Sequence, residues 1–276
     1  MRINTNMMAL NAQNKLTKNQ SNVEKSIQRL SSGLRINSAA DDAAGLAISE
    51  KMRSQIRGLD QAKSNANDTI SLIQTAEGAL QQTTDILQRM RELVIKSENS
   101  GVLSDDDKIA IDTEMTELSG EIDRIAKSTT FNGKTLLDGK FDGASGHEKL
   151  NFKVGANTLK EDTLEVTIGN MDATVLKVKD LKADDVDALG TIDAAIQTVS
   201  AQRAKLGAVQ NRIEYAIESI TVTGENLTSA ESRIRDVDMA SEMVNYTKNN
   251  ILQQSAMAML AQANQQPEQI LTLLQG

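Results

Sequence analysis

The chain has no cysteine and no tryptophan, one proline, one histidine, three phenylalanines and two tyrosines in 276 residues. Without cysteine there is neither a disulfide nor a thiolate metal site, so packing alone must hold the fold. With aromatics at 2%, stacking platforms for nucleic-acid bases are lacking. Positive charge is also short: 30 Lys and Arg stand against 38 Asp and Glu, a net charge of −8. That balance argues against binding a phosphate backbone, and no nucleic-acid partner is expected. No apolar run approaches the roughly 18 residues of a membrane-spanning helix, so no membrane insertion is expected. The first residues, Met1 to Asn6, lack the apolar stretch of a Sec-type signal. The expectation is a protein that stays in the cytosol or leaves by a route without signal cleavage.

What the chain does have is helical rhythm at both ends. Residues 3–34 with 44–127, and then 191–266, are rich in Ala, Gln, Asn and Leu and free of proline. Val23, Ile27, Leu30 and Leu34 recur at helical spacing. So do Ile73, Ala76, Leu80, Thr83, Leu87, Met90 and Val94. The C-terminal half repeats it through Ile192, Ile196, Val199, Arg203, Leu206, Gln210, Ile213, Ile217, Ile220, Gly224 and Leu227, with Arg203, Gln210 and Gly224 as imperfect positions. This is a coiled-coil seam with polar interruptions, which weaken pairing but fix register. If helical throughout, residues 191–266 span about 110 Å, which implies a rod. Ser104, followed by Asp105, Asp106 and Asp107, predicts a capped third helix to about Lys127 bearing Ile109, Met115, Leu118, Ile122 and Ile125.

The middle reads differently. Asn132-Gly133 and Asp138-Gly139 are turn dipeptides. Leu150–Val154 and Leu164–Ile168 alternate apolar and polar residues as half-buried strands do, and Val175–Val178 is a candidate third strand. The expected fold is mostly α: an elongated antiparallel helical bundle or coiled coil formed by both termini, with a small β-hairpin element between them. A long helix with an apolar stripe cannot cover that stripe alone. From Met243 to Gly276 the only charges are Lys248 and Glu268, and Ile251, Leu252, Met259 and Leu260 lie among amides. Such a tail suits burial among copies of itself.

Four segments carry a resemblance. Leu30-Ser31-Ser32-Gly33-Leu34-Arg35-Ile36-Asn37 precedes Asp41-Asp42-Ala43-Ala44-Gly45-Leu46-Ala47-Ile48. Leu87-Gln88-Arg89-Met90-Arg91-Glu92-Leu93 closes the long seam. Glu225-Asn226-Leu227-Thr228 leads into Ala230-Glu231-Ser232-Arg233-Ile234-Arg235-Asp236-Val237-Asp238-Met239-Ala240. Ala261-Gln262-Ala263-Asn264-Gln265-Gln266-Pro267 comes last. Together these resemble bacterial flagellin, in a short form without large variable outer domains.

The resemblance implies a terminal coiled-coil domain, residues 1–43 with 234–276, lining a filament core. Residues 44–233 form a rod-like helical bundle with a β element at about 131–180. It implies unfolded export through the flagellar channel and a secreted, extracellular filament built from copies of the chain. Val23, Ile27, Leu30, Leu34, Ile251, Leu252, Met259 and Leu260 are the expected assembly residues. Implied partners are an export chaperone on the C-terminal 235–276 helix, the filament cap and hook–filament junction proteins. The resemblance further implies recognition of the monomer by Toll-like receptor 5 through Arg89, Leu93 and Glu114. Without it, Arg89 and Glu114 read as solvated helix charges and Leu93 as seam.

Two other readings share the helical plan: a hook–filament junction protein and a cytosolic coiled-coil adaptor. A junction protein is expected to diverge over Asn226–Ala240, which is intact here. An enzyme is not expected, and no cofactor is implied. His147-Glu148 lacks the second histidine of a His-Glu-x-x-His zinc site. The acidic clusters at Asp41-Asp42 and Asp105–Asp107 lack the alternation and central glycine of a calcium loop.

Overall fold

The computed structural model describes residues 6–99, 103–143, 148–157, 162–185 and 187–275, with side chains described as far as residue 266. His147 lies outside the described residues. The elements in order are α1 (Met7–Ser32), α2 (Ala43–Ser97), α3 (Asp105–Ser128), β1 (Thr130–Phe131), β2 (Lys134–Thr135), β3 (Leu150–Lys153), β4 (Thr163–Val166), α4 (Ala188–Arg235) and α5 (Met239–Gln275). The protein is therefore mostly α. Its chain divides into two compact units, Met1–Ile56 with Glu225–Gly276, and Arg57–Gly224. The boundaries read from sequence, at 43/44 and 233/234, both fall inside the first unit.

In the second unit α2, α3 and α4 share one core. Ile73, Ala76, Leu80, Thr83, Leu87, Met90 and Val94 of α2 are all buried, as their spacing predicts. The hydroxyls of Thr83 and Thr84 donate to the carbonyls of Ala79 and Leu80, so two polar side chains enter the core with their donors satisfied. From α3 come Met115 and Ile122; Ile111 is buried, whereas Ile109 is 64% exposed. On α4 the covered row is Ile192, Ala195, Val199, Gln202, Leu206, Val209, Ile213 and Ile220. Ile192, Val199, Leu206, Ile213 and Ile220 lie where their spacing predicts; at the alternate positions the spacing selects Ile196, Arg203 and Gln210, whereas the packed row takes Ala195, Gln202 and Val209. The two choices differ by one residue, and the packed one takes the smaller Ala195 and the better hydrophobe Val209.

The β region feeds the same core. Leu136, Leu137, Ile168 and Val178 are completely buried. β1 and β2 pair antiparallel around Asn132-Gly133, whose φ values of 48° and 75° make the mirror-image turn that matches hairpin twist. β3 and β4 pair antiparallel from Leu150–Val166 to Lys153–Thr163. Val175–Val178 is not a strand. The Leu176 and Val178 amides donate back to Asp172 and Ala173 carbonyls, a local turn that still sends Leu176 and Val178 inward. The loops are tied to the helices by polar contacts. Asp112 and Asp123 of α3 accept from the Ala183 and Ala173 amides at 2.9 and 2.8 Å. Gln202 donates to the Thr167 carbonyl at 3.2 Å.

The start of α3 is a reciprocal cap. Ser104 Oγ accepts from the Asp107 amide, and the Asp107 carboxylate accepts from the Ser104 amide at 3.0 Å. The Ser104 hydroxyl and amide donating to Asp107 hold its carboxyl below the ordinary carboxylate value. The charged form is favoured in the folded chain, so this stabilisation is complete above the unfolded value and is lost as pH falls through the lowered folded value. Ser104→Ala is expected to cost about 1 kcal/mol of α3 stability. Asp107→Asn is expected to remove part of the acid sensitivity of α3, read as helicity against pH by circular dichroism. A slope of helicity loss identical to the parent chain refutes this assignment.

Candidate assembly interface

In the first unit α1 and α5 pair in opposite directions. Asn6 donates to the Ala263 carbonyl at 2.8 Å, Arg29 lies 3.8 Å from Glu242, and Leu34 bridges Asp236 antiparallel. Asn6 also caps α1 by accepting from the Ala9 amide at 3.0 Å. α1 ends at Gly33, whose φ of 71° is the left-handed conformation that favours glycine. The return segment stops the helical run expected through 191–266. The Arg35 amide donates to the Arg235 carbonyl at 2.6 Å and the Val237 amide to the Gly33 carbonyl at 3.0 Å. Asp238 then caps α5 by accepting from the Ala240 and Ser241 amides at 3.0 and 3.3 Å. Beside this break Arg235 pairs with Glu50 at 2.7 Å, and Arg53 lies 3.8 Å from Glu231.

The seam between α1 and α5 is thin. Its covered positions on α1 are Ala9, Ala12, Leu16, Asn19, Val23, Ser26 and Leu30. Those on α5 are Glu242, Tyr246, Asn249, Gln253, Ala256, Leu260 and Ala263. Both rows step by three and four residues, as a coiled-coil seam does. Most of their members are small or polar. Glu242, only 7% exposed, places a carboxylate in the seam against Arg29, a pairing that fixes register.

The large apolar side chains lie mostly elsewhere. Of the expected assembly residues, Val23, Leu30, Leu34 and Leu260 are half-buried. Ile27 is 48% exposed, and Ile251, Leu252 and Met259 are exposed as well. Met243 and Val244 join them. At 100° per residue these α5 positions point in several directions around the helix, not along one stripe. Val23, Leu30 and Leu260 thus lie on the seam, with small and amide residues such as Ala9, Ala12, Asn19, Ser26, Gln253, Ala256 and Ala263 filling much of the rest.

The second set of site residues lies on α2 and α3. Arg89 donates through Nε to Glu114 Oε1 at 3.0 Å and through Nη1 to Glu92 Oε2 at 3.1 Å. Donation to the Glu92 and Glu114 carboxylates raises its pKa further above the ordinary guanidinium value, so the group is always charged. All three side chains are solvent-facing. Leu93 is not among them: it is 2% exposed and belongs to the core. The structure thus brings Arg89 and Glu114 together and turns Leu93 away. Among the described residues, no three His, Asp or Glu side chains gather where they could hold a metal ion.

Residues 3–142 match the family model of the bacterial flagellin N-terminal helical region, and residues 189–274 match that of the C-terminal helical region. The chain belongs to the bacterial flagellin family. It is 52% identical over 305 aligned residues to a flagellin of Bacillus subtilis (strain 168), covering 99% of this chain and 100% of the relative. It is 51% identical to the flagellar filament 33 kDa core protein of Treponema phagedenis, covering 99% of this chain and 100% of that one. A solved putative flagellar hook-associated protein from Vibrio parahaemolyticus aligns with a TM-score of 0.52 over 70% of this chain and 100% of its own. At 14% identity that likeness is one of fold alone. This flagellin is a structural subunit of the bacterial flagellar filament, assembles with copies of itself and is not an enzyme. Its place is the filament.

Proposed function

We propose that the α1–α5 pair is the part of this flagellin that neighbouring subunits cover in the filament. One observation carries the reading: the pair fills much of its own seam with small and amide residues and leaves Ile27, Ile251, Leu252 and Met259 outside. A helix apolar on several sides is stable only when surrounded. The chain has no cysteine, so a single introduced thiol reports its own surroundings. In an Ile251→Cys variant, maleimide labelling is expected to slow at least roughly tenfold when monomers polymerise, as access to solvent is lost. Equal labelling rates in monomer and filament exclude this role for α5.

The same family membership supports unfolded export through the flagellar channel. It also supports an export chaperone gripping residues 235–276, and contact with the filament cap and the hook–filament junction proteins. We further infer recognition of the monomer by Toll-like receptor 5. Arg89 and Glu114 supply charged, solvent-facing groups for direct contact, and Leu93 holds the helix beneath them. An Arg89→Ala/Glu114→Ala variant is expected to lose receptor-reporter potency with an unchanged melting temperature. Leu93→Ala is expected to lower both. Unchanged potency of the double variant removes the receptor assignment.

A further inference from the structure

The sequence has eleven methionines and no other sulfur. Their placement is uneven. Met90, Met115 and Met171 are buried in the core of the Arg57–Gly224 unit, and Met52 is half-buried. Met7, Met8, Met239, Met243, Met257 and Met259 are between 48 and 58% exposed, and all six sit on α1 or α5. The antiparallel register set by Asn6–Ala263 and Arg29–Glu242 sorts them into two groups. Met7 and Met8 share one end of the pair with Met257 and Met259, while Met239 and Met243 lie near the other.

An exposed thioether is the most readily oxidised group in a chain without thiols or indoles. We propose that these six methionines are an oxidation-sensitive modification site. A two-electron oxidant of the peroxide class converts them to sulfoxides in the free subunit, and the modified subunit fails to polymerise. The sulfur attacks one peroxide oxygen as the O–O bond breaks. That oxygen becomes the sulfoxide oxygen, the other leaves as water, and the sulfur gives up the two electrons that reduce the peroxide. The product is polar and chiral where an apolar, flexible side chain stood. The proposal rests on the reading that neighbouring subunits cover the α1–α5 pair, because a sulfoxide harms only a contact that excludes water. The three core methionines are shielded by packing, so the Arg57–Gly224 unit keeps its fold. Sulfoxides are reversible by methionine sulfoxide reductases, which makes the change a switch as well as a lesion.

The test treats full-length monomer with limiting hydrogen peroxide, maps oxidised peptides by mass spectrometry, and then measures polymerisation. Oxidation is expected at the six terminal methionines well before Met90, Met115 and Met171. The critical concentration is expected to rise roughly tenfold or more, the scale of stranding a polar group in an apolar contact. Reductase treatment should restore it. A variant carrying Leu at all six positions is expected to polymerise equally with and without peroxide. Should that variant not assemble at all, reductase rescue of the natural chain decides the matter. Early oxidation of the core methionines, or unchanged polymerisation of the oxidised chain while untreated chain polymerises, overturns the proposal alone. Untreated chain that does not polymerise overturns it together with the assembly reading.

Discussion

A chain lacking residues 250–276 is expected to form no filaments at any accessible concentration, yet to retain a folded Arg57–Gly224 unit. The deletion removes Ile251, Leu252, Met257 and Met259 from the exposed apolar surface and Gln253, Ala256, Leu260 and Ala263 from the seam. It also removes the carbonyl that Asn6 holds, so α1 loses most of its partner over its first half. Each large apolar side chain that subunits cover contributes about 1.5–3 kcal/mol to association. Losing several at once moves the critical concentration by many factors of ten. None of these residues belongs to the core that contains Leu80, Leu87, Met115 and Ile122. Sedimentation and electron microscopy read the first outcome, and thermal melting of the remaining helicity reads the second. Filaments of the truncated chain, or a collapsed melting transition, contradict the division of labour between the units.

The second large effect is on stability. Leu87 is completely buried in the shared core of the Arg57–Gly224 unit. Leu87→Ala is expected to cost about 2–5 kcal/mol, the sum of lost transfer energy and the cavity left behind. In a unit of this size that lowers the melting temperature by roughly 5–15 °C. Ile251→Ala removes a side chain of similar size from a position 57% exposed. It is expected to leave the monomer's melting nearly unchanged and to raise the critical concentration instead. The two variants therefore separate folding from assembly. If Ile251→Ala melts as low as Leu87→Ala, the side chain is already buried within the monomer and the proposed interface is misplaced.

The helices of the Arg57–Gly224 unit were largely readable because their seam is built from large apolar residues. Ile73 to Val94 of α2 could be assigned residue by residue, and the Ser104 cap was visible as a serine before three acids. Legibility fell where size and burial part company. On α4 spacing selects Ile192, Val199, Leu206 and Ile213 correctly, but at the alternate positions Ala195 and Gln202 are covered in place of the neighbouring Ile196 and Arg203. The terminal pair inverts the usual rule in part: Leu16, Val23, Leu30 and Leu260 are partly covered, but so are Ala9, Ser26 and Ala263, while Ile27 and Ile251 stay outside. That inversion follows from a pair whose own fold is only part of the burial it is built for. Leu93 lies in the core for a different reason: a motif fixes position along the helix, and the angle around the helix is set by packing. Val175–Val178 alternates like a strand, but its backbone closes on itself, the Leu176 and Val178 amides donating to the Asp172 and Ala173 carbonyls.

The contact of Gly33 and Arg35 with Val237 and Arg235 gives the polypeptide a neck. Everything between those points is a single covalent loop, closed at its base. The entropy of closing a loop grows only with the logarithm of its length, so doubling the enclosed stretch adds about 0.6 kcal/mol. Extra segments placed in the loops inside the neck, between α3 and α4, are therefore nearly free of penalty, whereas an insertion within α1 or α5 shifts the register that Arg29 and Glu242 hold. Relatives longer than this chain are accordingly expected to carry their added length between residues 128 and 188, leaving both extremities at constant size.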